Sequence, residues 1–338
     1  MLKLIFSRVL QGVVVLVVVS ALTFALLAAA GGDALGELGT AERATSEATM
    51  RQMRRVYGLD EPLAVRYARW LWGLARGQMG ESFYYHAPVA TIIWPRLLRT
   101  LALAGVALAF ALAVSLTLGA LAARRKGSAW DRLSELVILL TASTPRIVLA
   151  LAALALIAHT SWFNVGGAEF AAGDALADLR PLRILPPAIV LAIPLVALFL
   201  AQTREGLSDA LGQDFVRVAR AKGLPERVVI MRHALREALN PLITLFGYSF
   251  GSVVRGSVIV ESVLGWSGLG LLSVTAVRQR DVPLLMGVVM ITATAVLVGN
   301  LFADILLRLN DPRLRGASSA RTRSRSGNRP LNLPASGA

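Results

Sequence analysis

The sequence predicts an all-α, polytopic membrane protein with six transmembrane helices and a sizeable extracytoplasmic loop after the first. Three observations carry this. The 338 residues are 55% hydrophobic and only 17% charged, with a mean hydropathy of +0.62. No soluble domain of this length needs such a balance. Six runs meet the about 20 apolar residues that a helix needs to cross a bilayer core. The Lys and Arg residues are sorted to one side of those runs. Cysteine is absent, which leaves no disulfide, thiolate nucleophile or cysteine metal site. His86, His159 and His233 lie far apart in the chain, against a histidine metal cluster.

The first run, roughly 9–30, carries no charge. Lys3 and Arg8 precede it and AAAGG follows, as in a secretory signal. Its about 22 apolar residues exceed the roughly 7–15 of a signal's apolar core, so residues 1–30 are expected to remain as an N-terminal segment and anchor. Residues 31–98 form the extracytoplasmic loop. Gly31-Gly32, Gly58 and Asp60-Glu61-Pro62 punctuate it as turns, and Val65–Leu74, with Trp70 and Trp72, reads as amphipathic. Two readings of this loop stand: a small folded cap, and a segment resting on the interface with its tryptophans in the aromatic belt.

The remaining five runs make a core over 99–315. The second, 99–123, is free of charge from Thr100. The third, 133–158, holds Pro145 and Arg146 near its middle, and the fourth, 184–203, holds Pro186, Pro187 and Pro194. The fifth, 239–262, contains Arg255 and ends near Glu261; the sixth, 284–307, contains Asn300 and Asp304. The tail, 316–338, is rich in Ser, Arg, Gly and Pro without periodicity and is expected to be disordered.

Six spans put both termini on one side, and charge chooses the side. Residues 1–8, 124–135, 204–237 and 308–338 hold twenty of the 35 Lys and Arg but eight of the 21 Asp and Glu. The rest of the chain is nearly balanced. The terminal side is therefore expected to be cytoplasmic. On this reading the net charge of +14 reports orientation, and no nucleic-acid partner is expected.

Catalytic signatures are missing. The chain has no G-x-x-x-x-G-K-[ST] phosphate loop, no G-x-G-x-x-G after a strand-like run and no H-E-x-x-H; its one G-x-S-x-G spacing, Gly247–Gly251, lies inside the fifth apolar run and not at a strand-to-helix turn. Polar residues inside the spans are the functional candidates, since a central charge costs ~2.5–3.5 kcal/mol on insertion scales. Arg146 follows Pro145, which frees a backbone carbonyl. It reads either as a pathway cation that meets a carboxylate or as half of an ion pair with Glu261 or Asp304. Arg255 lies in GSVVRGS, where small residues permit close helix contact. Glu261 and Asp304 are placed near span ends, where reaching to the interface is cheap. Asn300 is expected to hydrogen-bond between helices.

The polar stretch DFVRVARAKGLPERVVIMRHALREAL, 214–239, falls in the cytoplasmic loop 204–237. Phe215, Val218, Ala219 and Ala221 mix there with Arg217, Arg220 and Lys222 over about two helical turns. Gly223 suits the left-handed position that ends a helix. Pro225 suits the first turn of the next helix, with Glu226 near its positive end. That helix runs into the fifth span. An amphipathic pair on the membrane surface and a helix presented to a cytosolic partner both fit.

At these residues the chain resembles the permease subunits of ABC importers of the dipeptide, oligopeptide and nickel type. The matching stretches are Asp214–Leu224 and Arg232–Leu239. Supporting ones are Thr203-Arg204, Val260-Glu261-Ser262 with Gly265–Gly270, Arg280-Asp281-Val282-Pro283, Asn300 with Asp304, Asp311–Arg315, Gly58–Leu63, Gly80-Glu81-Ser82 and Ser143-Thr144-Pro145. The resemblance covers about residues 1–315. Some positions depart from it. Arg217 stands where the wider importer pattern has its acidic residue, Ser267 where proline is expected, Leu271 where arginine is common, and Ala34 follows Gly31-Gly32-Asp33 where proline is expected. Arg146 and Arg255 stand where small residues are typical.

The resemblance implies a six-helix type I permease fold in the bacterial inner membrane, with N- and C-termini cytoplasmic. It implies a second, homologous permease, two cytosolic ABC ATPase subunits and an extracytoplasmic binding protein. ATP and magnesium would be bound by the ATPases, with no cofactor in this chain. Residues 214–222 would be the coupling helix. Asp214, Phe215, Val218, Ala219, Arg220, Lys222, Gly223 and Leu224 are the coupling candidates, with Ala219 and Gly223 allowing close approach and Arg220 and Lys222 pairing with an acidic rim. Arg146, Arg255, Glu261 and Asn300 are the pathway candidates. Peptides are the implied cargo, with nickel chelates and glutathione-like compounds as alternatives. An ion-coupled secondary transporter would instead require membrane-embedded carboxylates, for which Glu261 and Asp304 are the candidates.

Overall fold

The computed structural model describes residues 2–29, 61–124, 126–159 and 181–310. Most of what is described is helix. Helix α1 (Leu2–Ala29) is followed by the amphipathic α2 (Leu63–Ala75), a two-stranded antiparallel hairpin of β1 (Glu81–Ser82) and β2 (Ala87–Pro88), and α3 (Val89–Ala123). Then come α4 (Ala129–Ser143), α5 (Arg146–Ala158), α6 (Pro181–Leu211) and α7 (Asp214–Ala221). The chain closes with α8 (Glu226–Val228), a π-helical turn (Val229–Ala234), α9 (Leu235–Leu264), α10 (Leu269–Arg278) and α11 (Val282–Asn310). The loop portion 31–60, the segment 160–180 and the tail 316–338 lie outside the described residues.

Four helices start directly after a proline: α2 after Pro62, α3 after Pro88, α5 after Pro145 and α8 after Pro225. In each, the proline holds a φ near −60° with an extended ψ. The ring fixes φ and removes a donor that a helix start leaves unpaired anyway.

Five helical stretches are long and apolar enough to cross a membrane: Ile5–Ala29, Val89–Ala123, Arg183–Leu211, Pro241–Leu264 and Val282–Ile305. The chain is a multi-pass membrane protein. The third expected span, 133–158, is not one rod. It breaks at Thr144-Pro145 into α4 and α5, bent by 100°. Thr144 is extended (ψ 119°), as steric conflict with the following proline ring demands. Counting that bent pair as one span gives six. The second span starts ten residues earlier than expected, at Val89, and contains Pro95.

Helix α6 is the hub. Of its most apolar window 61% is buried, against 6% for α1, which lies at the periphery. The main core joins α3, α6 and α9 through Leu103, Leu191, Phe199, Leu242 and Val253. A second core packs the start of α3 on α10 and α11 through Ile93, Leu272 and Leu284. A third closes the end of the bundle that carries α7. Arg8 holds α1 to α11 by an ion pair with Asp304 at 2.8 Å.

Candidate functional site

Residues 204–237 build a rigid corner. Residues 204–211 extend α6 by two turns, and α7 begins after a single turn at Gly212-Gln213. Val216 and Ala219 of α7 are buried on Ala123, Leu207, Ala210, Val229, Ile230, Ala234 and Ala238. Asp214 at its start and Arg220 in its last turn complement the helix dipole. Gly223 ends the corner in the left-handed region, φ +75°. Nothing lies within 4 Å of where its Cβ would stand, so backbone conformation rather than space requires glycine there.

Across the turn, Arg220 clasps Glu226 with two bonds, Nη2 to Oε1 at 2.6 Å and Nε to Oε2 at 3.1 Å. This hydrogen bonding holds the Glu226 carboxyl below its usual value and raises the Arg220 guanidinium. Glu226 is the first residue of α8, and Pro225 caps it from outside instead of occupying its first turn. The π turn at Val229–Ala234 adds a residue to its helical turn. It keeps Val229, Ile230 and Ala234 inward and leaves Met231 57% exposed.

Two expectations change. Ala219 faces the bundle, 5% exposed, because Val216 and Ala219 share the inward edge of α7. Arg220 is engaged by Glu226 within the chain. Exposed on α7 are Phe215 and Val218, with Leu224 in the turn that follows, Met231 in the π turn, and Asp214, Arg217 and Lys222.

The corner is fastened to long helices on both sides. α6 enters it, and the helix restarted at Glu226 continues through α9 to Leu264. Beside it, Arg204 of α6 binds Asp131 and Glu135 of α4, each at 2.6 Å. α7 is therefore joined by short connections to two membrane-spanning segments.

Inside the membrane, Glu261 has no exposed surface. It was expected near a span end with access to the interface. Instead its Oε1 accepts from Thr100 Oγ1 at 2.8 Å and its Oε2 from the Gly270 and Leu271 N–H groups at 2.6 and 3.3 Å. Thr100 Oγ1 accepts in turn from the Leu269 N–H at 2.8 Å. Together they satisfy the free donors at the start of α10. A Cβ on Gly268 or Gly270 would collide with this carboxylate.

Arg146 pairs with neither Glu261 nor Asp304. It is the first residue of α5, and its Nη2 donates to Ser252 Oγ of α9 at 3.5 Å. Arg255, on the same helix as Ser252, is exposed. Asn300 of α11 lies against α9, its Oδ1 3.6 Å from where a Gly251 Cβ would stand. It has no hydrogen-bond partner among the described residues.

At the opposite end of α11, Asp281 is 1% exposed. It accepts from Ser82 Oγ at 2.5 Å, the Tyr84 N–H at 3.0 Å and the Leu284 N–H at 3.1 Å. The hairpin and the start of α11 are thus one unit, joining two short motifs that lie 199 residues apart in sequence.

Comparison with known proteins agrees with this architecture. Residues 115–316 match the family described as binding-protein-dependent transport system inner membrane component, and residues 1–104 match the N-terminal model of such components. The oligopeptide transport system permease protein AppB of Bacillus subtilis is 36% identical over 312 residues, covering 92% of this chain and 98% of that protein. The dipeptide transport system permease protein DppB of Escherichia coli is 31% identical over 338 residues, covering 93% and 99%. A crystal structure of an amino acid ABC transporter with histidines aligns at a TM-score of 0.46 and 20% identity over 64% of this chain and 92% of that one. With both family models matched in chain order and relatives aligned almost end to end, the chain belongs to the binding-protein-dependent transport system inner membrane components.

Proposed function

We propose that this chain is one permease subunit of a peptide importer of the bacterial cytoplasmic membrane, with both termini cytoplasmic. A binding protein outside delivers the peptide. A second, homologous permease completes the pathway, and two separate cytosolic subunits bind ATP and magnesium and hydrolyse the nucleotide. Support for peptides comes from the names of the relatives, and support for the orientation from the sorting of basic residues.

The observation that carries the reading is the corner at α7. It exposes the apolar side chains of Phe215 and Val218 on a helix welded to the bundle by Val216 and Ala219, with Leu224 exposed in the turn that follows. A surface of this kind fits a cleft in a cytosolic partner, with Lys222 and Asp214 at its rim. Gly223, Arg220 and Ala219 hold its geometry. Closure of the ATPases on ATP would push α7, swing α6 and α9, and open the pathway outward. Arg146, Arg255 and Asn300 are assigned to the pathway side, and Glu261 to the support of its wall.

Val218→Glu tests the assignment without touching the core, since Val218 is 52% exposed. The variant is expected to insert normally while co-purification of the ATPase subunits and ATP-driven uptake both fall about tenfold, the effect of about 1.4 kcal/mol. Full association and full uptake would overturn the coupling role.

A further inference from the structure

Helix α9 carries an exposed stripe with an unusual composition for a spanning segment. Tyr248, Ser252, Arg255 and Ile259 follow one another at helical spacing on one face. Tyr248 is 56% and Ile259 39% exposed, and Arg255 is exposed as well. Ser252 and Arg255 lie in the central third of the span Pro241–Leu264, where lipid tolerates a charge least. A tyrosine hydroxyl, a serine hydroxyl and a guanidinium on one open face do not suit hydrocarbon. They suit a water-filled lumen.

A second cation borders that face through Ser252. The 100° break at Thr144-Pro145 makes Arg146 the first residue of α5. Its guanidinium lies over Gly256, one turn beyond Ser252, and hydrogen-bonds Ser252 Oγ. Any Cβ at position 256 would occupy the guanidinium's place. A proline break, a glycine slot and a serine acceptor thus combine to hold Arg146 beside the Arg255 stripe. Neither arginine has a carboxylate partner among the described residues. The two carboxylates weighed as their partners are committed elsewhere: Glu261 to Thr100 and α10, and Asp304 to Arg8.

Resting on the reading of the chain as a peptide importer, we propose that Arg146 and Arg255 form a cationic constriction at mid-membrane that binds carboxylate side chains of acidic peptides. On this proposal the counter-charge that the described residues do not supply arrives with the cargo. Charge-assisted bonds from two guanidiniums lower the barrier that an anionic peptide meets at the membrane centre. A peptide without acidic side chains offers them only its C-terminal carboxylate, and so gains less. Tyr248 and Ser252 supply neutral hydrogen-bonding groups along the same stripe.

The test uses the complete transporter, with its binding protein and ATPases, in proteoliposomes. Uptake of trialanine is compared with uptake of Glu-Ala-Glu. In Arg255→Gln and Arg146→Gln, Glu-Ala-Glu uptake is expected to fall about tenfold relative to trialanine, the loss expected for one charge-assisted bond. Arg255→Lys should recover most of the ratio. Replacing Arg by Gln removes a charge from the membrane interior, so insertion is expected to hold, and the yield of the assembled complex from membranes reports it directly. A wild-type complex that moves no peptide overturns the reading of function itself. A wild type that moves trialanine but not Glu-Ala-Glu, or variants that leave the ratio unchanged, overturn only the constriction. So does loss of the permease pair in Arg255→Gln by size exclusion, rescued by Arg255→Lys, which would assign the cation to a carboxylate of the second permease.

Discussion

A carboxylate with no exposed surface needs a donor for each of its oxygens. Glu261 has three, from Thr100, Gly270 and Leu271. Glu261→Ala would strand those donors, at a cost of about 1–3 kcal/mol for each group left unpaired. A clear drop in the melting temperature of the purified protein is expected. Glu261→Gln keeps an amide oxygen to accept from the Gly270 and Leu271 N–H groups but turns an NH2 donor toward the Thr100 hydroxyl, so an intermediate drop is expected; an unchanged melting point in both variants would remove Glu261 from its place as the cap of α10. Such a residue shows where sequence reading stops. Its partners sit 161 residues upstream and nine residues downstream, across a helix packing that no local pattern encodes. An acidic residue near the end of an apolar run has the same sequence appearance whether it reaches the interface or is sealed inside.

At the scale of elements, the corner around α7 was largely legible because its signals are local. Gly223 and Pro225 mark the stop and restart, and the structure has both within a residue of where chain chemistry places them. The facing of α7 was not legible. Val216 and Ala219 make one apolar edge and Phe215 and Val218 another about 100° away, and only packing on Val229 and Ile230 decides which is inward. Two predictions belong here. Gly223→Ala forces a side chain into the left-handed region at a cost of about 1 kcal/mol or more. Because no neighbour is near, the loss should appear as looser coupling, with ATPase activity less dependent on transported peptide. A tightly coupled variant would mean that the turn tolerates the strain. The second concerns the Arg220–Glu226 clasp. The folded-state value of Glu226 is lowered, so the clasp contributes fully above the usual 4.5 and is lost only as pH falls through the lowered value. Coupling in the wild type should therefore not vary with this clasp between about pH 6 and 8, and Glu226→Gln should weaken coupling equally across that range. A loss confined to one end of it would mean that another titrating group governs the turn.

At the scale of the whole molecule, the question is where energy for transport enters. An ion-coupled carrier would need a membrane-embedded carboxylate free to take up and release its ion from a pathway. The embedded candidates are engaged: Glu261 is sealed against fixed donors, and Asp304 is held by Arg8 at 2.8 Å. The sequence also lacks a phosphate loop. What the chain offers instead is the packed corner at α7, with α6 running into it and the helix begun at Glu226 running out to Leu264, so that on the proposed coupling a force applied at α7 would reach two spanning helices. The Arg204 bonds to Asp131 and Glu135 extend that frame to α4. It follows that this chain, reconstituted alone or with its permease partner, should take up no peptide under a proton or sodium gradient. Adding the ATPases, the binding protein and ATP should start uptake. Arg204→Ala, which removes the ion pairs between α6 and α4 without altering α7, should leave ATPase binding intact and lower uptake several-fold, since two bonds to carboxylates are lost. Robust uptake driven by an ion gradient without ATPase would overturn the arrangement at its root, whereas unchanged uptake in Arg204→Ala would confine the transmitted motion to α6 and α9.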